Sequence, residues 1–284
     1  MNITFLGTAA ANAFPEAFCK CKNCQAAREL GGKSLRKRSS ALINDDLLLD
    51  LGPDIMVSSQ THKISLTKVQ FCLQTHPHAD HMDLSHLLSR SPGFGVVGAP
   101  RLHFYASPQT LARADQTFRR DLCGYGLLDE QAYKELNLQI HPVKLLEAIA
   151  IGEYRITALP ANHARGFGAY LYAIERDGCR IFYGTDTAEF LDDTWQAFDD
   201  LKLAFDLVVL DHTYGPDEPG SDHLSAHQVA DHTQRMRAEG ILKADGRVFA
   251  THIAHEGNPD HDTLSEFAKA HGYEIAYDGL VVEA

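Results

Sequence analysis

The chain predicts an α/β fold of the α+β kind, in which β-sheets are covered by helices. Three observations lead there. Short apolar runs with strand character recur along the whole length, at residues 3–6, 41–50, 69–73 and 102–105, and again at 154–158, 169–175, 180–183, 207–210, 247–250 and 273–277. Helical periodicity interrupts them at residues 108–120, 194–204, 225–239 and 263–271. No repeat, low-complexity tract or Pro/Ser-rich linker divides the sequence, so residues 1–284 read as a single domain with a small insertion around 107–145. Interleaved strands and helices of this kind bury sheet faces under helices.

The elements follow from local signals. Met1-Asn2-Ile3-Thr4-Phe5-Leu6-Gly7 opens the chain as a strand entering a turn. It lacks the basic start and long apolar core of a secretory signal. Residues 121–143 are the hardest to read and are expected to form a helical insertion near the mouth of a site. Ser225 stands where an N-cap of the third helix belongs, and Asp262 or Thr263 where a cap of the fourth belongs. No run of about 18 apolar residues exists, so no membrane span is expected. The expected location is cytoplasmic, with reduced thiols. The formal net charge of -12 opposes binding to long nucleic acid, whose affinity rests on Lys and Arg. The one basic run, 33–38, reads as a solvated loop. A homodimer stays open, since nothing in the sequence specifies an oligomer.

Thr75-His76-Pro77-His78-Ala79-Asp80-His81 follows the apolar run 69–73 and holds three imidazoles and a carboxylate. Imidazole suits zinc, iron and similar ions, and carboxylate suits harder ones. His76 and His78 are two apart, so in extended chain they point the same way. Asp80 and His81 come after the turn and can face a second ion. With 16 histidines some clustering arises by chance, but a strand that ends in so dense a loop is a metal-binding pattern. Four more segments repeat it, each with a His or Asp just past an apolar run: His163, Asp186, Asp211-His212 and His252. A lone histidine there would read as a hydrogen-bonded structural residue. Strand ends in layered α/β folds gather on one edge, where sites are built.

In this order, His76, His78, Asp80, His81, His163, Asp186 and His252 resemble the complete ligand pattern of the metallo-β-lactamase superfamily. The resemblance spans nearly the whole chain. It implies a four-layer αββα sandwich with a dinuclear site at one edge. By that resemblance His76, His78 and His163 hold one metal, Asp80, His81 and His252 hold the other, and Asp186 bridges them. It further implies a metal-dependent hydrolase; the expected mechanism is attack by a hydroxide held on two metals, with Asp80 orienting the nucleophile or accepting its proton. Two divalent ions, Zn or Mn with Fe as a further option, are expected there; the ligand types do not select among them.

Cys19, Cys21 and Cys24 place three thiols within six residues. An odd number excludes a self-contained disulfide set. A zinc ion relieves the repulsion of three thiolates and fixes the loop, and His255 is the candidate fourth ligand if the loop after His252 turns. The alternative is an oxidation-sensitive thiol cluster. The arrangement resembles that of the phosphodiesterases of the carbon–phosphorus lyase pathway, which cleave phosphoribosyl cyclic phosphates. There three N-terminal cysteines and a later histidine form a structural zinc site. Cys72, Cys123 and Cys179 are isolated and expected to be buried.

The reaction needs a group to protonate the leaving oxygen. Ser221-Asp222-His223-Leu224-Ser225 follows a Gly/Pro-containing loop and resembles the loop-histidine motif of the phosphodiesterase and ribonuclease Z branches. His223 is therefore the candidate acid or phosphate ligand. Asp222, where that branch often has glycine, is expected to raise the His223 pKa or to weaken phosphate binding. A small cyclic or nucleotide-like phosphodiester is the expected substrate, and no long nucleic acid or membrane is expected as a partner. Other readings are a ribonuclease Z-like nuclease, a lactonase or thioesterase, and a non-catalytic carrier resembling pyrroloquinoline quinone biosynthesis protein B. The first is disfavoured by the absence of a basic Gly-rich arm, and the last by the full ligand set. Arg165, after His163, is either a substrate contact or a surface residue.

Overall fold

The computed structural model describes residues 1–164 and 166–284. Two seven-stranded sheets are present among the described residues. The first half of the chain lays down β1 (Asn2–Gly7), β2 (Ser40–Ile43), β3 (Leu47–Leu49), β4 (Phe71–Leu73), β5 (Leu102–Ala106) and β6 (Leu138–Pro142) side by side in that order. The second half does the same with β7 (Ala148–Ile151), β8 (Tyr154–Pro160), β9 (Tyr170–Arg176), β10 (Cys179–Gly184), β11 (Phe205–Asp211), β12 (Leu242–Thr251) and β13 (Glu274–Ile275). Then β14 (Val281–Glu283) crosses back and pairs antiparallel with β1.

Period-two alternation sorts the side chains into layers. Leu47 and Leu49 of β3 enter the same buried cluster as Leu207 and Val209 of β11, so that cluster lies between the sheets. Leu48 points the other way, into a cluster with Leu111, Ala114 and Phe118. Those three belong to the helix Pro108–Phe118. Val208 and Leu210 point outward on the second sheet, onto Phe198, Val229, Met236 and Leu264. Both faces of the central strands are thus apolar, as the near-continuous runs of the sequence require.

The helices are α1 (Lys22–Leu30), α2 (Ile55–His62), α3 (Ser85–Ser89), α4 (Pro108–Phe118), α5 (Glu130–Glu135), α6 (Asp192–Asp200), α7 (Ala226–Ala238) and α8 (His261–Ala270). Helices α2 to α5 cover the first sheet, and α6 to α8 the second. The layers are αββα, as expected. No helix among the described residues is long and apolar enough to cross a membrane.

Local departures from expectation have local causes. The apolar run 41–50 is two strands, because Asn44 takes a left-handed conformation (φ 49°) and turns β2 back onto β3. The expected helical insertion is corrected over its second half: Leu138–Pro142 is strand β6, parallel to β5 along the sheet edge. Its short alternation, with Leu138 and Ile140 buried, carries too few residues to outweigh the helical signal of α5. The run 273–277 is strand only at Glu274–Ile275. Ser225 caps α7 through a reciprocal box with Gln228. The cap of α8 is Asp260, which accepts from the backbone N–H groups of Asp262 and Thr263, so neither of those two is the cap.

Asp260→Ala should therefore lower stability by about 1 kcal/mol, the usual worth of such a cap. Asp262→Ala, at an exposed site, should change it by less than about 0.5 kcal/mol. Urea unfolding measures both, and equal losses would refute the assignment.

Candidate metal centre

Topology brings the predicted residues together. Strands β3 and β4 run parallel, as do β10, β11 and β12. Strand β8 has the same sense as β10, because each is antiparallel to β9. Their C-terminal ends therefore meet on one edge. Just past those ends stand Asp50 after β3, His76 after β4, His163 after β8, Asp186 after β10 and His252 after β12, with Asp211 the last residue of β11. Asp50 (φ 64°) and His252 (φ 63°) are non-glycine residues in the left-handed region, where a side chain is disfavoured. Each is held by the contacts described next.

Two groups of donor atoms form. In the first, His78 Nδ1 lies 2.9 Å from His76 Nε2 and 3.2 Å from His163 Nε2. In the second, His81 Nε2 lies 3.3 Å from His252 Nε2 and 3.2 Å from Asp80 Oδ2. One oxygen joins them. Asp186 Oδ2 is 3.3 Å from His76, 3.5 Å from His163, 3.3 Å from His81 and 3.6 Å from His252. All seven predicted residues are thus in contact around one carboxylate.

The outward nitrogen of several rings is pinned, which fixes the nitrogen that faces the centre. Asp50 Oδ2 lies 2.7 Å from His81 Nδ1. Thr75 Oγ1 lies 3.0 Å from His76 Nδ1, and Thr213 Oγ1 lies 2.8 Å from His252 Nδ1. The Gln74 side-chain amide donates to Asp50, to the His76 carbonyl and to the His81 carbonyl, tying the loop closed. Asp211 accepts from the backbone and hydroxyl of Thr213. Sequence reasoning assigned no role to Asp50, Gln74, Thr75, Asp211 or Thr213. The signal was there for the two aspartates, which sit at strand ends like the ligands.

The donor set fits a cation. Asp50, Asp80, Asp186 and Asp211 are all buried, and among the described residues none pairs with Lys or Arg. Burial opposes ionisation of Asp80, yet the charge of His81 and the contacts of His252 hold its carboxyl well below the usual range. Asp186 is likewise held low against burial, by His252 and His223. Burial pushes His76 down to about 3, with the charge of His81 adding to it, so its ring is a neutral nitrogen donor. Carboxylate oxygens and imidazole nitrogens gathered in this way make a divalent-metal ligand set.

His223 lies against this cluster. Its Nδ1 is 2.8 Å from Asp211 Oδ2 and 2.7 Å from Asp186 Oδ1. One N–H serves one acceptor well; it is directed at Asp211, and among the described residues Asp186 Oδ1 has no hydrogen-bond partner. Burial disfavours its protonation, but Asp211 and then Asp186 outweigh that and push it up to about 12. A cation on Asp186 removes part of that support. Asp222 attracts the His223 ring electrostatically, but its Oδ1 accepts from Tyr214 (2.8 Å) and Ser221 (2.7 Å), and the carboxylate that orients His223 is Asp211. Arg165 lies outside the described residues.

A second cluster joins Cys19, Cys21, Cys24 and His255, whose ligand atoms all lie within 4.8 Å of one another. Cys21 caps α1 and accepts from the Cys24 backbone N–H. His255 Nδ1 lies 3.6 Å from Cys21 Sγ, and Asn23 donates to the His255 carbonyl. Burial pushes the Cys24 thiol up to about 12, whereas Cys21 falls to about 7: burial opposes that fall, and the Cys24 N–H and the neighbouring Cys19 and His255 outweigh it. Of the isolated cysteines only Cys72 is buried; Cys123 and Cys179 are half-buried, because each lies at an element end rather than within a central strand.

A family model described as a β-lactamase superfamily domain matches residues 46–253, well over half of the chain. Among solved structures, a diphosphatase of the PhnP family shares 21% identity, with 99% of this chain and 96% of that one aligned and a TM-score of 0.73. Zn²⁺-bound PqqB from Methylobacterium extorquens shares 20%, with both chains covered completely and a TM-score of 0.74. The short form of human tRNase Z shares 15%, covering 100% of this chain and 99% of its own, with a TM-score of 0.63. No curated protein matches the sequence. These likenesses carry the fold, and the family match together with the assembled donor set places the chain: it belongs to the metallo-β-lactamase superfamily and has that fold's divalent-metal ligand cluster.

Proposed function

We propose that this protein is a phosphodiesterase that hydrolyses a small cyclic or nucleotide-like phosphodiester with two divalent metal ions. His76, His78 and His163 would hold one ion, Asp80, His81 and His252 the other, with Asp186 shared. When bound, such a pair supplies an activated water and neutralises charge on a phosphate. The observation that carries the reading is the placement of His223. With Nδ1 spent on Asp211, its Nε2 is the ring nitrogen left for a substrate oxygen, beside the shared carboxylate. Hydrolysis of a lactone or thioester has less use for such a group. Asp80, 8% exposed and held ionised, is placed to orient the nucleophile or take its proton. One of the similar solved structures is, by its name, a diphosphatase, which is in keeping with phosphoryl chemistry.

The cysteine cluster is proposed as a closed structural zinc site. Its three thiols and one imidazole supply four donors, the usual number for structural zinc. The cluster is tied to the other centre by the two residues between His252 and His255, Ile253 and Ala254. Buried Ile253 exchanges backbone hydrogen bonds with Thr8 and Ala10, which holds the loop so that His252 and His255 face different clusters.

Mn-loaded protein should hydrolyse bis(p-nitrophenyl) phosphate. His223→Ala should slow a diester with an unactivated alkoxide leaving group by about 10²–10⁴-fold, the usual worth of a general acid. It should slow the p-nitrophenyl ester far less, because that leaving group needs no proton. Equal slowing refutes the general-acid role. Freshly purified reduced protein should carry one zinc that Cys24→Ala loses, and its absence from the wild type refutes the structural site.

A further inference from the structure

One aromatic side chain at the centre is not explained by packing. Phe167 is 41% exposed, although phenylalanine is among the residues most often buried. Its ring meets His78 edge-on, with centroids 5.7 Å apart and planes at 82°. The backbone beneath it is clamped. Thr110 Oγ1 donates to the Phe167 carbonyl at 3.1 Å, and the Phe167 N–H donates to the Ala164 carbonyl at 2.9 Å. Gly168 follows with φ 66°, and a Cβ there would lie 2.5 Å from Ser107 Oγ and 2.9 Å from Gln109 Oε1. The turn is therefore pressed onto the N-terminal end of α4, whose cap is Ser107. An exposed aromatic held on so short a tether beside a ligand histidine is a preorganised surface, not a loose loop tip.

Across the cluster a second ring stands beside the candidate acid. Tyr214 lies 6.3 Å from His223, with planes at 73°, and its hydroxyl is fixed on Asp222. The histidines His78, His163 and His223 form a chain of ring contacts between these two aromatics, with centroids 5.0 Å apart at each step. A phosphate seated on that chain would have Phe167 on one flank and Tyr214 on the other. Aromatic faces of this kind stack flat rings without regard to their hydrogen-bond pattern.

We propose that Phe167 is a specificity-determining residue that stacks a nucleobase or comparable flat aromatic group attached to the phosphate. This deepens the phosphodiesterase reading and rests on it for the position of the phosphate. It makes nucleotides, rather than bare sugar phosphates, the substrate class of the centre.

Binding tests it without requiring turnover. Calorimetry on the Mn-loaded protein compares AMP with ribose 5-phosphate, which differ in the base. The wild type should bind AMP about tenfold tighter, the lower end of what one stacked base contributes. Phe167→Ala should erase that ratio while leaving ribose 5-phosphate affinity within about twofold, and Phe167→Trp should keep it. Equal affinity for the two ligands in the wild type overturns the proposal. So does a preference for AMP that survives Phe167→Ala, or a loss of both ligands together. Failure of the phosphodiesterase reading shows separately, as a loaded protein that turns over no diester.

Discussion

Four buried carboxylates that, among the described residues, pair with no Lys or Arg set the terms for the rest of this structure. Asp50, Asp80, Asp186 and Asp211 lie within one small volume, and among the described residues only histidines come within ion-pair distance of them. Removing a carboxylate from water costs several kcal/mol unless opposite charge or strong hydrogen bonds replace it. Protonated histidine meets part of that demand. Divalent cations meet it better, because the same imidazoles then act as neutral donors and the positive charge sits among all the oxygens. The arrangement of Thr75, Thr213 and Gln74 makes sense on these terms. Each holds a ring or a carboxylate in the orientation that a metal needs, so little reorganisation is left for binding.

The sandwich exists, in this view, to deliver strand ends. Strands from both sheets finish at one edge, and each places a polar residue just past its last apolar one. The left-handed backbone at Asp50 and His252 is a local cost accepted so that a side chain can turn into the centre. The loop after β12 does double service. Within four residues it supplies His252 to one cluster and His255 to the other, so the N-terminal cysteine segment and the metal edge are mechanically joined.

Much of this was legible in the sequence because it depends on spacing. The seven histidine and aspartate positions follow apolar runs, and a strand end is a place that one-dimensional pattern can mark. The cysteine triplet was legible because thiols so close together have few other uses. What spacing does not encode is which buried carboxylate faces which ring. Asp222 adjoins His223 in sequence, yet the carboxylate that orients it is Asp211, twelve residues earlier, brought there by β11. Asp50 was hidden inside a run that looked like one long strand, because the turn at Asn44 is a single left-handed residue. Strand β6 was masked by the helix before it, and its pairing with β5 is a long-range fact. Phe167 carried no signal in the sequence, since exposure is a property of the fold and not of the residue type.

The central claim is that two cations share the Asp186 carboxylate. Electron paramagnetic resonance of the protein titrated with Mn²⁺ tests it most directly. The account predicts that the spectrum of an exchange-coupled pair grows in as the centre fills, and that Asp186→Ala abolishes the coupling. Saturation at one ion, or two magnetically isolated Mn²⁺ signals at full occupancy, would contradict it.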